Sequence, residues 1–232
     1  MDREGNAMVK SRIIKELTNS TVDLHTSLKR AKVIFQEVGN EELNQWLKNE
    51  IGGYKNLEDV PPYRKIKGEL KGCYIEGMAN YTNALISLDN IDEETAEGLM
   101  CCSAGQSIYA LQEAIKANHS FARRFNAQEC TWLSAKTGRE IYAAEVAIDV
   151  SAVVNILSTV ENLLLDTFLL LEKEFGILDD LDIDLDKKTE DEKQVIAEKI
   201  VIILQDNSVT IGEKSKIKDS TIASSIRNKA IR

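Results

Sequence analysis

The sequence predicts an α+β fold that is predominantly α-helical, and three observations carry that prediction. Two amphipathic stripes meet across a glycine corner between Leu24 and Ile51, a two-residue alternation replaces the helical period after Tyr63, and a long apolar helix opens at Ser151. They imply an N-terminal helical hairpin, a small antiparallel β-sheet, a long central core helix, and then a C-terminal helix with a short β-like tail.

The hairpin is the best-specified part. Val9, Ile13, Ile14 and Leu17 place a first helix before it, and Thr18-Asn19-Ser20-Thr21 supplies a break rich in capping residues. Leu24, Leu28, Ala31, Phe35 and Val38 then fall on one helical stripe. Gly39 stops that helix and Asn40 caps the next, whose stripe is Leu43, Trp46, Leu47 and Ile51. Gly52-Gly53 ends the second helix, and Pro61-Pro62 holds the following chain extended.

From Tyr63 the residues Ile66, Gly68, Leu70, Gly72 and Tyr74 alternate with polar neighbours, the pattern of a half-buried strand. Glycines inside such a run mark a bulge or the close approach of another backbone. Gly77 to Asn83 reads as a turn or loop, and Ala84 to Leu88 as a second strand. Asp89 to Glu94 has the acids of a helix start, with its course through Gly98 left open. Ile108, Leu111, Ala114 and Ile115 form another helical stripe, Gln128 to Lys136 a short helical turn, and Glu140 to Asp149 either a third strand or a helix start. The longest helix follows, with Val154, Leu157, Val160, Leu164, Phe168 and Leu171 down one side and Gly176 as its stop.

These elements divide the chain into an α+β domain over 1–176, an acidic linker over 177–192, and a C-terminal helix with a polar, Val/Ile-spotted tail over 193–232. Asp182, Asp184 and Asp186 have calcium-loop spacing, but Lys187 stands at the sixth position and Lys193 at the twelfth, so neither the turn nor the bidentate ligand of such a loop is present. The linker reads as solvated acid. In the tail, Val209, Ile211, Ile217 and Ile222 lie among small polar residues; a segment of this kind cannot bury its own apolar face, which makes these four interaction candidates.

With 43% hydrophobic and 29% charged residues and a net charge of -9, the 232-residue chain has the make-up of a folded soluble protein and no global field for nucleic acid or an anionic membrane. Lys29, Arg30 and Lys32, with Lys10, Arg12 and Lys15, read as the solvated face of amphipathic helices. The charged first twenty residues carry no secretory signal. The apolar run near Val150 to Leu171 includes Glu161 and Asp166, each costing roughly 2.5 to 3.5 kcal/mol at a bilayer centre, so it reads as a buried helix and no membrane association is expected. Cys73, Cys101, Cys102 and Cys130 lack metal-ligand spacing and read as reduced structural thiols. The phosphate-binding, zinc-protease and nucleophile-elbow patterns are absent from the sequence, His25 and His119 read as a rim residue and a helix-end residue, and no catalytic residue, metal or cofactor is expected.

The block LKRAKVIFQEVGNEELNQWLKNEIGGY followed by VPPYRKIKGELKG resembles the AbiTii family of bacterial abortive-infection proteins. The resemblance rests on Leu28, Lys32, Gly39 to Glu42, Trp46-Leu47, Glu50, Gly53-Tyr54, Pro62-Tyr63-Arg64 and Gly72, and extends more loosely through the Leu111 and Val153 to Glu174 helices. It implies a cytoplasmic bacterial protein that takes part in defence against phage by restricting growth of the infected cell. It brings no catalytic motif to transfer. Trp46, Gly53, Tyr54, Pro62 and Tyr63 are then structural anchors that fasten the hairpin to the sheet, while Arg64 is the member expected to have an exposed polar task. Three roles are compatible with this reading: an interaction or effector module using its C-terminal helix and tail to recruit a protein partner or self-associate, a toxin enzyme working on nucleic acid or nucleotides through a cleft around Arg64 and Lys65 or Lys67, and an antitoxin-like regulator.

Overall fold

A computed structural model describes residues 10–181, 183 and 188–205. Eight α-helices run through the described residues: α1 (Arg12–Thr18), α2 (Leu24–Val38), α3 (Glu41–Gly52), α4 (Glu93–Met100), α5 (Ile108–Lys116), α6 (Ala127–Thr137), α7 (Val150–Phe175) and α8 (Glu190–Gln205). The strands are β1 (Lys65–Lys67), β2 (Glu69–Glu76), β3 (Ala79–Leu85), β4 (Cys101–Ser103), β5 (Phe121–Arg124) and β6 (Glu140–Ile148). The fold is α+β and mostly helical, with small antiparallel sheets.

The hairpin forms as its capping chemistry dictates. The Asp23 carboxylate accepts from Thr26 N at 2.9 Å to start α2, Gly39 ends it in the left-handed region at φ 70°, and the Asn40 side chain accepts from Leu43 N at 3.1 Å to start α3. Leu28, Ala31, Phe35, Leu43 and Leu47 are buried in one cluster with Val160, Leu164, Phe168 and Leu171 of α7. Ile196, Ile200, Ile203 and Leu204 of α8 join the same cluster. The C-terminal helix is thus part of the main core, although the sequence reading set it apart beyond a linker. Its register explains why: the i, i+4, i+7, i+8 spacing makes one face that needs an apolar partner, and α7 and α3 supply it.

The four-stranded sheet has the order β3-β2-β6-β5, all antiparallel, and β1 pairs separately with β4. The alternating run after Tyr63 is therefore two strands in two sheets, divided at Gly68, whose N–H bonds Met100 O at 3.0 Å. The segment expected to be a loop, 77–83, is mostly strand: the turn is confined to Gly77 and Met78, and β3 starts at Ala79. Its seven uncharged residues, six of them exposed, carry too little hydrophobic alternation to announce a strand. β5 also escaped notice, because Arg123 and Arg124 interrupt a four-residue stretch that only pairing with β6 defines. The segment from Glu140 resolves as a strand, and α4 does run through Gly98.

Gly72 shows why the glycines of β2 are needed. A Cβ there would lie 2.3 Å from Ala143 O and 2.8 Å from Ile86 Cδ1. Gly72→Ala is expected to lower stability by about 1 to 3 kcal/mol, read as a reduced urea midpoint with an unchanged slope. An unshifted midpoint would contradict the close approach of β6.

Helix α7 ties the layers together. Its Val153 and Ile156 pack with Ala104 and Leu111, and its later turns fill the helical core. By length and composition α7 is apolar enough to cross a membrane, and in this fold those buried side chains face protein. At its far end, Glu172 is 2% exposed and holds the start of the described chain: it accepts from Lys10 Nζ, Ser11 N and Ser11 Oγ, each at 2.6 Å. Ser11 Oγ in turn accepts from Leu178 N at 3.0 Å, so one carboxylate joins the segment before α1 to the exit of α7.

Candidate functional site

The residues singled out as anchors converge on a carboxylate. On α3, Leu43, Leu47 and Glu50 occupy the buried side, and Tyr54 follows one turn later across the Gly52-Gly53 stop. Pro61-Pro62 leads into a single 3-10 turn, Pro62–Arg64, whose tight i to i+3 geometry brings Tyr63 and Arg64 back onto the same group. Glu50 Oε1 accepts from Tyr54 Oη at 2.6 Å, Tyr63 Oη at 2.7 Å and Arg64 Nε at 3.0 Å, while Oε2 pairs with Arg64 Nη2. Tyr63 Oη also accepts from Trp46 Nε1 at 2.9 Å. Arg64 Nη1 donates to Ala104 O at 2.7 Å and Gln106 O at 2.8 Å, and the guanidinium lies over the Tyr54 ring, 5.0 Å from its centre.

The backbone completes the latch. Tyr54 N donates to Gly105 O at 2.8 Å and Ala104 N to Arg64 O at 2.9 Å. Gly53, at φ 89°, is required here, since a Cβ would stand 3.0 Å from Gly105 O. Both Glu50 and Arg64 are 0% exposed. The expectation that Arg64 carries an exposed polar task is therefore corrected: the guanidinium is enclosed, and four of its five N–H groups are committed to protein oxygens. Burial beside a carboxylate and two carbonyls suits the planar fork of arginine.

Protonation follows the same geometry. Burial, reinforced by the Glu50 charge, pushes the phenols of Tyr54 and Tyr63 far above the ordinary tyrosine value. For Arg64 burial alone would lower the pKa; the hydrogen bond and the attraction of Glu50 outweigh it, and the net direction is upward. The two phenols are thus donors, held away from the phenolate that a base or nucleophile would need. Because their folded pKa values lie above the unfolded ones, their contribution to stability is complete below about pH 10 and falls as pH rises beyond it. In an alkaline absorbance titration these two tyrosines are expected to ionise only with global unfolding; their ionisation in the folded protein would contradict the latch.

Beside this latch opens a groove of about 570 Å³ between α3, α8 and the 59–62 loop. Trp46, Pro61, Pro62, Val201 and Leu204 make its apolar lining, and the carboxylates of Glu41, Glu42 and Asp59 stand at it without a basic residue among the side chains that line it. Gln205, the last described residue, also lines the groove, and its Nε2 donates to Glu42 Oε2 at 3.3 Å.

The structure thus brings Arg64 together with Trp46, Gly53, Tyr54, Pro62 and Tyr63, whereas the tail candidates Val209, Ile211, Ile217 and Ile222 lie outside the described residues. Sequence reasoning missed Glu50 as the centre. The signal was present in the spacing: an acid sits one turn past Leu47 on an otherwise apolar stripe, four residues before a tyrosine. His25 packs on Tyr109 with ring centres 5.2 Å apart, its Nδ1 buried without a hydrogen-bond partner, and His119 is exposed at the end of α5.

A family model described as AbiTii matches residues 10–197, which include the whole latch and end inside α8. No match was found among curated proteins or among solved structures.

Proposed function

The chain belongs to the AbiTii family of abortive-infection domains, and from that premise we propose that it acts in the cytoplasm of a bacterial cell as an interaction or effector module of phage defence rather than as an enzyme. The supporting observation is the contrast between two neighbours. The buried polar cluster spends its donors and acceptors within the fold, and the groove beside it presents an apolar floor and three carboxylates with no basic side chain among its lining residues. A partner segment carrying aliphatic and basic side chains complements that surface. The face of α8 that lines the groove forms part of the contact region.

Val201 is half-buried, packed at the edge of the helical core where it lines the groove, and Gln45 is exposed there, so changing them alters the surface while the fully buried side chains stay in place. Val201→Arg combined with Gln45→Arg is expected to abolish protection in a phage plaque assay while leaving the melting temperature within a few degrees of the parent. Full protection by a folded variant would remove the groove from the function. Growth on induction with and without phage then separates an effector, harmful when active, from a neutralising partner.

A further inference from the structure

The groove lies where the described chain stops. Gln205 lines it, and 27 residues, 206–232, follow. From Gln205 to Ile211 six residues of extended chain reach about 20 Å, enough to lay the next segment along the groove. That segment has the composition the groove lacks. Val209 and Ile211 share one side of an extended chain, and Lys214, Lys216 and Lys218 share one side further on, against a single acid, Glu213, over 207–218. The groove has an apolar floor of Trp46, Pro61, Pro62 and Leu204 and three carboxylates, Glu41, Glu42 and Asp59.

We infer that segment 207–218 of the same chain occupies this groove, with Val209 and Ile211 on the apolar floor and the three lysines against the carboxylates, so that the free protein caps its own partner surface. This inference rests on the groove being the interaction surface and adds to it a regulator: a partner must displace the tail. Attachment through Gln205 makes the contact intramolecular, which raises the local concentration of the tail at the groove far above that of a second copy in dilute solution.

The test uses full-length protein. A carbodiimide, which joins lysine amines directly to carboxylates, is applied to an equal mixture of isotopically light and heavy chains, and linked peptides are read by mass spectrometry. Links from Lys214, Lys216 or Lys218 to Glu41, Glu42 or Asp59 are expected, without mixing of the isotopes. Full-length Val209→Asp/Ile211→Asp keeps every group that can be linked, and in it the yield is expected to fall about tenfold, the effect of losing part of the burial of two aliphatic side chains. Absence of these links, an equal yield in the aspartate variant, or predominantly mixed links, which would place the tail on a second copy, each overturn the inference. Plaque assays keep the two readings apart. If Val201→Arg/Gln45→Arg abolishes protection while the links are missing, the groove keeps its role and only the tail is excluded; if the links form and protection is indifferent to both variants, the contact stands without that function.

Discussion

Arg64→Met is expected to lower the unfolding free energy by about 3 to 5 kcal/mol, because it leaves the Glu50 carboxylate charged and buried with two phenols as its remaining donors. A large part of that loss comes from the unpaired charge and only part from the missing attraction, which the double variant exposes. Glu50→Met/Arg64→Met removes both charges, and it is expected to cost less than the single change despite deleting more hydrogen bonds. Urea unfolding of the three proteins measures this. A single variant within about 0.5 kcal/mol of the parent would mean that the pair is hydrated or rearranged, and the latch would have to be abandoned. The damage should be local in its first effect: the 104–106 turn loses both Arg64 donors, so amide exchange is expected to rise at Tyr54 and Ala104 before it rises in α7.

Glu172→Gln is expected to cost about 2 to 3 kcal/mol. The carboxylate receives two hydrogen bonds from Ser11 and one from Lys10, and an amide at that position turns one acceptor into a donor facing other donors. Acidity gives an independent readout. Burial alone would raise the Glu172 pKa; the hydrogen bonds from Lys10 and Ser11 outweigh it and hold the pKa below the ordinary glutamate value. The folded value being lower than the unfolded one, this stabilisation is complete above about pH 4.5 and is lost as pH falls through the depressed folded value. The parent is therefore expected to lose stability more steeply than Glu172→Gln on acidification below that point. Parallel acid profiles for the two proteins would contradict the assignment.

The hairpin was legible because its information is local. Asp23, Gly39 and Asn40 act within four residues of themselves, and the stripes of α2 and α3 repeat often enough to exceed chance. β5 and the 79–83 part of β3 were not, since their residues have no pattern of their own and acquire strand geometry only from the ladders of β6 and β2, whereas the strand expected from Ala84 ends at Leu85. The candidate site divided in the same way. Trp46, Gly53, Tyr54, Pro62 and Tyr63 stood out as a group, but an arginine two residues after a proline pair gives no indication of whether its charge is solvated. Arg64 is enclosed because the 104–106 turn, forty residues on, closes over it with two carbonyls.

The sequence by itself determined the helical hairpin, the two-residue period after Tyr63, the long helix opening at Ser151 and stopping at Gly176, and the membership of a defence family, because each is written in spacing and residue type over short stretches. Only the tertiary structure decided that Glu50 is the hub of the anchors, that Arg64 is interior, and that α8 belongs to the main core beside an acidic groove. The physical reason is that burial and ion pairing are properties of pairs of surfaces. A side chain's partner, set by how α3, α8 and the 104–106 turn come together, decides whether the same charge is a solvated tip or the centre of a latch.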